Sequence, residues 1–445
     1  MRWLIVTLFS LTLLGANERL TLEVALQKVR QNNLELFAAK LDEEIASFEH
    51  EAAQNSSFGA LDITQNALRS NDALSVFGFK LQSREATFGD FGFSSAVPLN
   101  PTTQPTDLNY PKARNHFQTT VEYSIPLYTG GQMGAYQKIT QSLKALKSLE
   151  KDQLQAQKIF EVKKSFYTLS LLEKHLEHLR IVDENIAKIQ GLTIAMHEEG
   201  YAKKVDILEV EARKSDVERL IHQAKSNHKI LLHFLSFLLN EKVSSIALVE
   251  EDVLMIQGSE KELLTRNHDV QKAYRGVEIS HAQMDVAQSA FLPKIGAFAQ
   301  YGSSDNRFLN DFSEKESYTL GIQLKWNLFK AGVDKAGLEK ARVAFLKAKT
   351  MLSLAEQSSF LQWEKIVTQI EHETYEIEHL KKEYRLAQAI YENYAQRYAE
   401  KLVSIHEVMM KQSDEIGKML KLREAQNRRN EKIFELETLI SKEIP

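Results

Sequence analysis

Three side chains have types and a spacing that could bind a metal ion: His175, Glu177 and His178. Imidazole and carboxylate groups bind divalent metals, but a metal site needs ligands that converge from more than one segment. No distant partner motif accompanies this cluster, so its spacing of three favours a solvated coiled-coil surface. The stretch HEEG at 197–200 lacks the histidine, four residues after the first, of the zinc-binding helix of metalloproteases. The sequence therefore predicts no metal site.

Motifs for catalysis or cofactor binding are absent from the sequence. We find no phosphate-binding loop, no GxGxxG and no nucleophile elbow. The chain has no cysteine, which excludes disulfides, thiolate metal sites and a lipid-modified N-terminal cysteine. A net charge of −4 and the lack of a basic stripe argue against nucleic-acid binding. We predict a protein that is not an enzyme, uses no cofactor and binds no nucleic acid.

The first 16 residues, MRWLIVTLFSLTLLGA, have the form of a secretory signal peptide. Arg2 precedes an apolar run from Trp3 to Leu14, and small residues follow. A membrane-spanning helix needs about 20 apolar residues, so this run is too short to be one. We predict cleavage after Ala16. No other segment approaches that length, so we expect no transmembrane helix.

The rest of the chain contains a repeat whose copies lie 201 residues apart. Residues 117–131, FQTTVEYSIPLYTGG, and residues 318–332, YTLGIQLKWNLFKAG, alternate apolar and polar side chains and end at a glycine. Strict alternation predicts strands with one apolar and one polar face. GYAKKVD at 200–206 and KLVSIHE at 401–407 have the same spacing. We predict two structural repeats, 17–245 and 246–445.

A long helical hairpin is predicted after each of these strands. In the first repeat, helices at about 131–198 and 205–239 have apolar side chains at the steps of three and four that are typical of coiled coils. The second repeat has helices at about 332–400 and 403–440. A helix and a shorter strand precede each of these units: the strand near Leu61–Ile63 in the first repeat, and a helix at 260–290 with the strand KIGAFAQYG in the second. A Pro- and Gly-rich segment at about 58–116 contains an insertion of roughly 30 residues.

Four strands and very long helices predict an assembly of several copies. A barrel around packed side chains takes about eight strands. In lipid, unpaired strand edges would leave N–H and C=O groups unsatisfied. The strands must therefore pair with those of other copies, and three copies would supply twelve. The apolar helix stripes also need neighbours, so we predict a homo-oligomer.

Six segments, in their order along the chain, resemble the TolC family of outer-membrane efflux proteins. They are LTLEVALQKVRQNNLEL, PLYTGG, EGYAKKVDILEVEA, FLPKIGAFAQYG, WNLFKAG and RYAEKLVSIHEV. The resemblance implies a mainly α fold with a small β part. Long antiparallel hairpins would form an α-barrel in the periplasm, and four strands per protomer would join a 12-stranded, trimeric outer-membrane β-barrel.

The same resemblance implies a function and partners. Members of this family are outer-membrane exit ducts of tripartite efflux or type I secretion systems. They are homotrimers that contact outer-membrane lipid and dock through a periplasmic adaptor to an inner-membrane pump. We therefore expect a protein of a Gram-negative outer membrane that extends into the periplasm and is not lipid-anchored.

Four residues are expected at the pore constriction by this resemblance: Asp206, Tyr398, Glu407 and Met410. The family has acids just past the helix reversals, and a ring of Glu407 would attract cations. Met410 stands where the best-studied pattern has a second acid. Val403 stands where that pattern has an arginine. The resemblance thus implies one acidic ring and a tyrosine clamp at Tyr398, with a less charged constriction.

The helix reversals themselves are expected to contact the adaptor. Gly200 and Tyr201 form one tip, and Lys401 and Leu402 form the other, with Lys401 in place of the usual glycine. Two other kinds of protein stay open at this point: a structural periplasmic coiled coil, and an adaptor of the membrane-fusion type. An adaptor would add a lipoyl-like β domain rich in glycine and β-branched residues, which we do not find.

Overall fold

The computed structural model describes residues 19–93, 102, 104–249, 253 and 260–441. The predicted signal peptide lies outside these described residues. The fold is mainly helical with a small sheet, as the sequence predicts. None of the described helices is both long and apolar enough to cross a membrane.

The helices and strands follow one another in two similar series. The helices are α1 (Leu22–Asn32), α2 (Leu34–Asn55), α3 (Ala73–Gln82), α4 (Thr106–Asn109), α5 (Gln132–Glu198), α6 (Lys204–Leu239), α7 (Glu260–Arg266), α8 (His268–Ser289), α9 (Val333–Ala399) and α10 (Ile405–Leu439). The strands are β1 (Ala60–Ser70), β2 (Arg114–Tyr128), β3 (Lys294–Asp305) and β4 (Glu316–Lys325). Short 3₁₀ turns occur at Ser56–Phe58 and Phe88–Phe91.

The chain divides into two compact units. The first contains the described residues up to Glu43, Leu146–Tyr274, and those from Met351 onward. It consists mainly of packed helices. The second contains Glu44–Ala145 and Arg275–Thr350, and it includes all four strands.

The strands form one antiparallel sheet in the order β1-β2-β3-β4. Residues directly opposite each other in such a sheet share a face, and here the apolar residues of all four strands align. The apolar face carries Leu61, Ile63, Val121, Tyr123, Ile125, Ala297, Ala299, Tyr301, Tyr318, Leu320, Ile322 and Leu324. The side chains of this face on β1 and β4 are exposed to solvent in the single chain. A continuous apolar band therefore lies on one side of the sheet, and the same side becomes polar at Gln65, Thr119 and Ser303.

The opposite face of the sheet is mainly polar, with Leu68 and Phe298 as its large apolar side chains. Asp62 lies opposite Glu122, and Thr64 lies opposite Thr120. Gln300 donates a hydrogen bond to the Glu122 carboxylate at 2.8 Å. The strand predicted at 318–332 is shorter than expected, because β4 ends at Lys325. Directly after it, the Trp326 indole N–H donates a hydrogen bond to the Phe291 carbonyl at 3.1 Å.

The four longest helices pack around shared apolar seams in the first unit. One large cluster joins α5, α6, α9 and α10 near the two helix reversals. In α6 the buried positions include Val217, Ala224, Leu235 and Leu238, which belong to the predicted coiled-coil seam. Burial of such side chains contributes about 2 kcal/mol each, and it holds the two hairpins together.

Two asparagines interrupt the helices at equivalent places, Asn33 between α1 and α2 and Asn267 between α7 and α8. The sequence predicts one continuous helix over 260–290, and the break at Asn267 corrects that prediction. The Asn33 side chain accepts from the Leu36 N–H at 3.0 Å and donates to the Leu238 carbonyl at 2.8 Å. The Asn267 side chain likewise caps α8 and donates to the Leu439 carbonyl at 2.9 Å. Each asparagine thus joins a helix break to the last turn of the return helix.

Replacement of Asn33 by alanine should destabilise the helical unit by roughly 2–4 kcal/mol, because it removes a helix cap and leaves a buried carbonyl without its donor. Asn267→Ala should lower the free energy of unfolding by more, since the Asn267 side-chain oxygen also accepts a hydrogen bond from the Ser359 hydroxyl. Denaturant midpoints of the purified protein measure both effects. Asn32→Ala is the matched control, because Asn32 is adjacent but exposed. Equal midpoints for Asn32→Ala and Asn33→Ala would contradict this role.

Candidate functional site

The candidate site consists of the two helix reversals, α5–α6 and α9–α10. Both reversals use the same backbone geometry. Gly200 has φ +77° and Lys401 has φ +63°, in the left-handed region. The Tyr201 N–H donates to the Met196 carbonyl, and the Leu402 N–H donates to the Arg397 carbonyl, each at 2.8 Å. This pattern is that of the Schellman helix end, which usually has glycine at its left-handed position.

Lys401 adopts that conformation at a cost of about 1–2 kcal/mol that a glycine would avoid. Its ammonium group lies over the Tyr201 ring, 3.4 Å from the ring centroid. A cation at this distance from an aromatic face is attracted by about 0.5–1 kcal/mol at an exposed site. The contact offsets part of the strain and links the two reversals directly.

A second contact connects the return helices just beyond the tips. The His406 Nδ1 atom lies 2.6 Å from a Glu209 carboxylate oxygen. His406 is on α10 and Glu209 is on α6, so the pair joins the two hairpins of one protomer. Near the reversals the two hairpins are therefore joined by polar contacts as well as by their apolar seam.

The predicted constriction acids, Asp206 and Glu407, occupy equivalent positions in the first turns of α6 and α10. The Asp206 carboxylate accepts from the Lys203 N–H at 2.7 Å. The Glu407 carboxylate accepts from both the N–H and the hydroxyl of Ser404, each at 2.9 Å. This is the arrangement of a capping acid at a helix N-terminus. Both acids therefore have a structural role in this protomer, and Glu407 remains exposed.

The hydrogen bonds at Glu407 also set its charge. The backbone N–H of Ser404, and next its hydroxyl, hold the pKa of Glu407 below its ordinary value of 4.5. The carboxylate is therefore ionised at neutral pH. Each protomer presents one fixed, exposed negative charge at the start of α10.

Tyr398 and Met410 differ in their surroundings. Tyr398 is only 5% exposed and belongs to the seam between the hairpins. Its hydroxyl lies 2.8 Å from the Thr193 hydroxyl, so it connects α9 to α5. Burial raises the pKa of Tyr398; the Thr193 hydrogen bond opposes this rise and the Asp206 carboxylate adds to it. Met410 is 53% exposed and lies one helical turn after Glu407.

The predicted tip residues are exposed at the reversals. Tyr201 is 68% exposed and Leu402 is 63% exposed. Val205 and Leu208 on the first turns of α6 are also exposed. The two tips therefore present apolar side chains beside the Lys401 ammonium group.

A buried polar group lies further along the same seam, and the sequence interpretation missed it. Gln412 and Glu415 are fully or almost fully buried on α10. Gln412 donates to the Tyr391 hydroxyl at 3.2 Å, and Glu415 lies 3.2 Å from His178. His178 and His175 are therefore not on a solvated surface as predicted, and burial lowers the pKa of His175 to about 4. The available signal was the spacing, since Gln412 follows Val408 by four residues in the α10 seam.

No group of three histidine, aspartate or glutamate side chains within the described part of the chain could hold a metal ion. This statement covers His175, Glu177 and His178. His178 instead contacts side chains of α9 and α10 in the helical unit.

Comparison with known proteins connects this geometry to one family. Residues 261–441, which contain α7–α10, β3 and β4, match the family model of the outer membrane efflux protein. The second half of the chain is therefore similar to that family. The resemblance that the sequence predicts is confirmed. The chain is also 24% identical over 223 residues to the pyoverdine export outer membrane protein OpmQ of Pseudomonas aeruginosa. That alignment covers 48% of this chain and 46% of OpmQ, so the chain spans about half the length of this curated relative.

Solved structures match the fold over almost the whole chain. CusC, whose crystal structures concern folding and transmembrane channel formation, aligns with a TM-score of 0.80 and 13% identity, over 95% of this chain and 92% of that one. The outer membrane protein VceC of Vibrio cholerae aligns with a TM-score of 0.77 and 16% identity, over 95% and 96% of the two chains. Both matches therefore support the predicted architecture of helical hairpins and a small sheet.

The Glu407 cap generates a pH-dependent prediction. Because its folded pKa lies below 4.5, its stabilising effect on α10 should be complete at neutral pH. That effect should disappear as the pH falls below 4.5 and through the lowered folded value. Hydrogen exchange at residues 405–408 should therefore be faster in Glu407→Gln than in wild type at pH 7, with the difference shrinking in acid. A difference that grows in acid would contradict the assignment.

Proposed function

We propose that this protein is the outer-membrane exit duct of a tripartite efflux or secretion system. It passes substrate across the periplasm and the outer membrane without catalysing a reaction. The single observation that carries the proposal is the sheet, with a continuous apolar band on one face, a mainly polar opposite face and two open edges. The match of residues 261–441 to the family model of the outer membrane efflux protein supports the same conclusion.

The chemistry of the sheet fits a wall between lipid and water. Side chains such as Leu61, Ile322 and Leu324 face lipid in the proposed arrangement, while Thr64 and Glu122 face an aqueous lumen. Among the described residues, β1 pairs only with β2, and β4 pairs only with β3. Their free edges would leave backbone groups unpaired in lipid, at several kcal/mol each. Three copies joined edge to edge form a closed barrel of twelve strands.

Exposed apolar stripes on the helices support the same trimer. In α2 the exposed residues Leu34, Phe37, Leu41, Ile45 and Phe48 recur at steps of three and four. In α9 the exposed residues include Val343, Leu346, Leu354 and Leu361. Exposed stripes of this size indicate an interface between copies. In the trimer these helices form the α-barrel that extends into the periplasm.

The reversals form the inner end of the duct. Three copies bring Glu407 into one ring, with Asp206 and Met410 beside it and Tyr398 holding α9 against α5. The exposed tips at Gly200–Tyr201 and Lys401–Leu402 dock a periplasmic adaptor that connects to an inner-membrane pump. In this proposal the barrel holds the trimer in the membrane; the sequence has no cysteine that could carry a lipid.

Conductance of the purified protein in planar bilayers tests the duct and its constriction. We expect a channel of small conductance that prefers cations. Glu407→Gln should lower the cation-to-anion permeability ratio and weaken block by divalent cations, because the ring loses its charge. The matched control is Glu424→Gln, which removes an exposed acid from the same helix away from the reversal.

The possible results separate the duct from its alternatives. Unchanged selectivity in Glu407→Gln would keep the duct but place its constriction elsewhere. A folded trimer that forms no channel in any condition would favour a structural periplasmic coiled coil. A monomer without channel activity would favour an adaptor of the membrane-fusion type.

The His406–Glu209 pair should help to keep the inner end closed. Breaking it with His406→Ala or Glu209→Ala should raise the single-channel conductance, because the hairpins then separate more easily. A double-mutant cycle is the informative measurement. The double variant should conduct no more than the larger single effect, since each change breaks the same contact. Additive increases would show that the two residues act independently.

A further inference from the structure

The connection between β1 and β2 is much longer than its counterpart in the second repeat. It contains residues 71–113, whereas β3 and β4 are joined by residues 306–315. Both connections lie at the end of the sheet opposite to the strand ends that lead into α5 and α9. We call residues 71–93, which include α3, the outer strap.

The outer strap attaches to the polar face of the sheet. The Phe79 ring stacks on the His116 ring, with centroids 4.1 Å apart and planes inclined by 5°. His116 is almost fully buried, and in β2 it alternates in register with the polar residues Gln118 and Glu122. The Arg114 guanidinium, on the same face, donates to the Ser83 hydroxyl at 2.9 Å. The strap is therefore on the side of the sheet that faces the lumen in the proposed channel.

Arg84 and Glu85 attach the outer strap to the β3–β4 turn. The Arg84 guanidinium donates to the Glu314 carbonyl at 3.0 Å and to the Glu316 carbonyl at 2.5 Å. Glu85 forms ion pairs with both Arg114 and Lys315, the latter at 2.6 Å. The strap thus crosses the sheet from β2 to the turn before β4.

Internal contacts make the outer strap a defined structure. The Asp72 carboxylate caps α3 by accepting from the Ser75 N–H at 2.9 Å. Lys80 pairs with Asp90, and Asp90 also accepts from the Thr87 N–H at 2.8 Å. A segment with these caps and ion pairs behaves as one piece. The contacts of residues 79–85 with β2 and the β3–β4 turn therefore fix its position over this face.

The side of α3 that faces away from the sheet is apolar. Leu74 is 80% exposed and Leu81 is 53% exposed. They are seven residues apart, so they share a helix face opposite to Phe79 and Ser83. Neither carries a charge, in contrast to the polar sheet behind them.

We infer that the outer strap narrows the outer mouth of the channel and gives it an apolar collar made by Leu74 and Leu81. This inference rests on the proposed function, because it takes the polar face of the sheet as the lumen. Three copies place three straps around one mouth. Apolar constrictions disfavour hydrated ions, so the collar favours apolar or amphipathic solutes as the class of cargo.

Thiol labelling tests the inference cleanly, because the chain has no native cysteine. Thr64→Cys places a reporter on the polar face of β1, opposite Thr120. Ile63→Cys is the matched control on the apolar face. Purified trimers in detergent are treated with a small anionic methanethiosulfonate, a small neutral one, and a bulky polyethylene glycol maleimide.

Detaching the outer strap from the sheet should let the bulky maleimide enter the mouth of the channel. Phe79→Ser with Glu85→Gln removes the ring stack and both ion pairs of Glu85. This background should raise the rate of bulky labelling at Thr64→Cys several-fold and leave the small neutral reagent almost unchanged. An unchanged bulky rate would overturn the narrowing of the mouth. A charged reagent that labels Ile63→Cys as fast as Thr64→Cys would instead overturn the proposed orientation of the sheet.

The collar has its own test in a variant that leaves the attachments intact. Leu74→Ser with Leu81→Ser should raise the rate of anionic relative to neutral labelling at Thr64→Cys several-fold. An unchanged ratio would place these two leucines outside the path. Trimers that retain their wild-type size and melting temperature show that the variants fold, so a negative result counts against the collar.

Discussion

The pairing of backbone groups at the edges of the sheet is the constraint on which the rest of the structure depends. In a single copy, nothing covers the apolar face of this four-stranded sheet. The N–H and C=O groups at the outer edges of β1 and β4 also have no strand to pair with. Joining copies satisfies both requirements at once. The exposed stripes on α2 and α9 then meet neighbours in the same assembly. The unpaired N–H and C=O groups of the edge strands thus give a physical reason for the oligomer that the proposed function requires.

At equivalent positions, the two predicted repeats are more alike in backbone conformation and hydrogen bonding than in side-chain type. Asn33 and Asn267 make equivalent bonds to the last turns of α6 and α10. Gly200 and Lys401 occupy the same left-handed position. At Lys401 the strain is compensated by a contact with Tyr201 that a glycine could not make. The repeats therefore differ at the reversals, where the hairpins contact each other and where we propose that a partner docks.

The capping role of these acids is compatible with their proposed role at the pore. Glu407 accepts two hydrogen bonds from Ser404 and still exposes a charge at the start of α10. A ring of such groups needs a fixed geometry, and the cap supplies it without burying the carboxylate. Tyr398 contributes differently, because its hydroxyl is buried against Thr193. It holds the helices in position, and the proposed electrostatic role at the pore belongs to Glu407.

The sequence by itself determined the features that depend on local spacing: the alternating strands, the helix reversals and the 201-residue repeat. These follow from side chains within a few residues of one another, so their pattern is visible in the chain. Only the tertiary structure decided the features that join distant segments. These are the Lys401–Tyr201 contact, the burial of Glu415 beside His178, and the placement of the outer strap on the polar face. Their partners are separated by tens to hundreds of residues, and packing in three dimensions selects them from many side chains with the same chemistry.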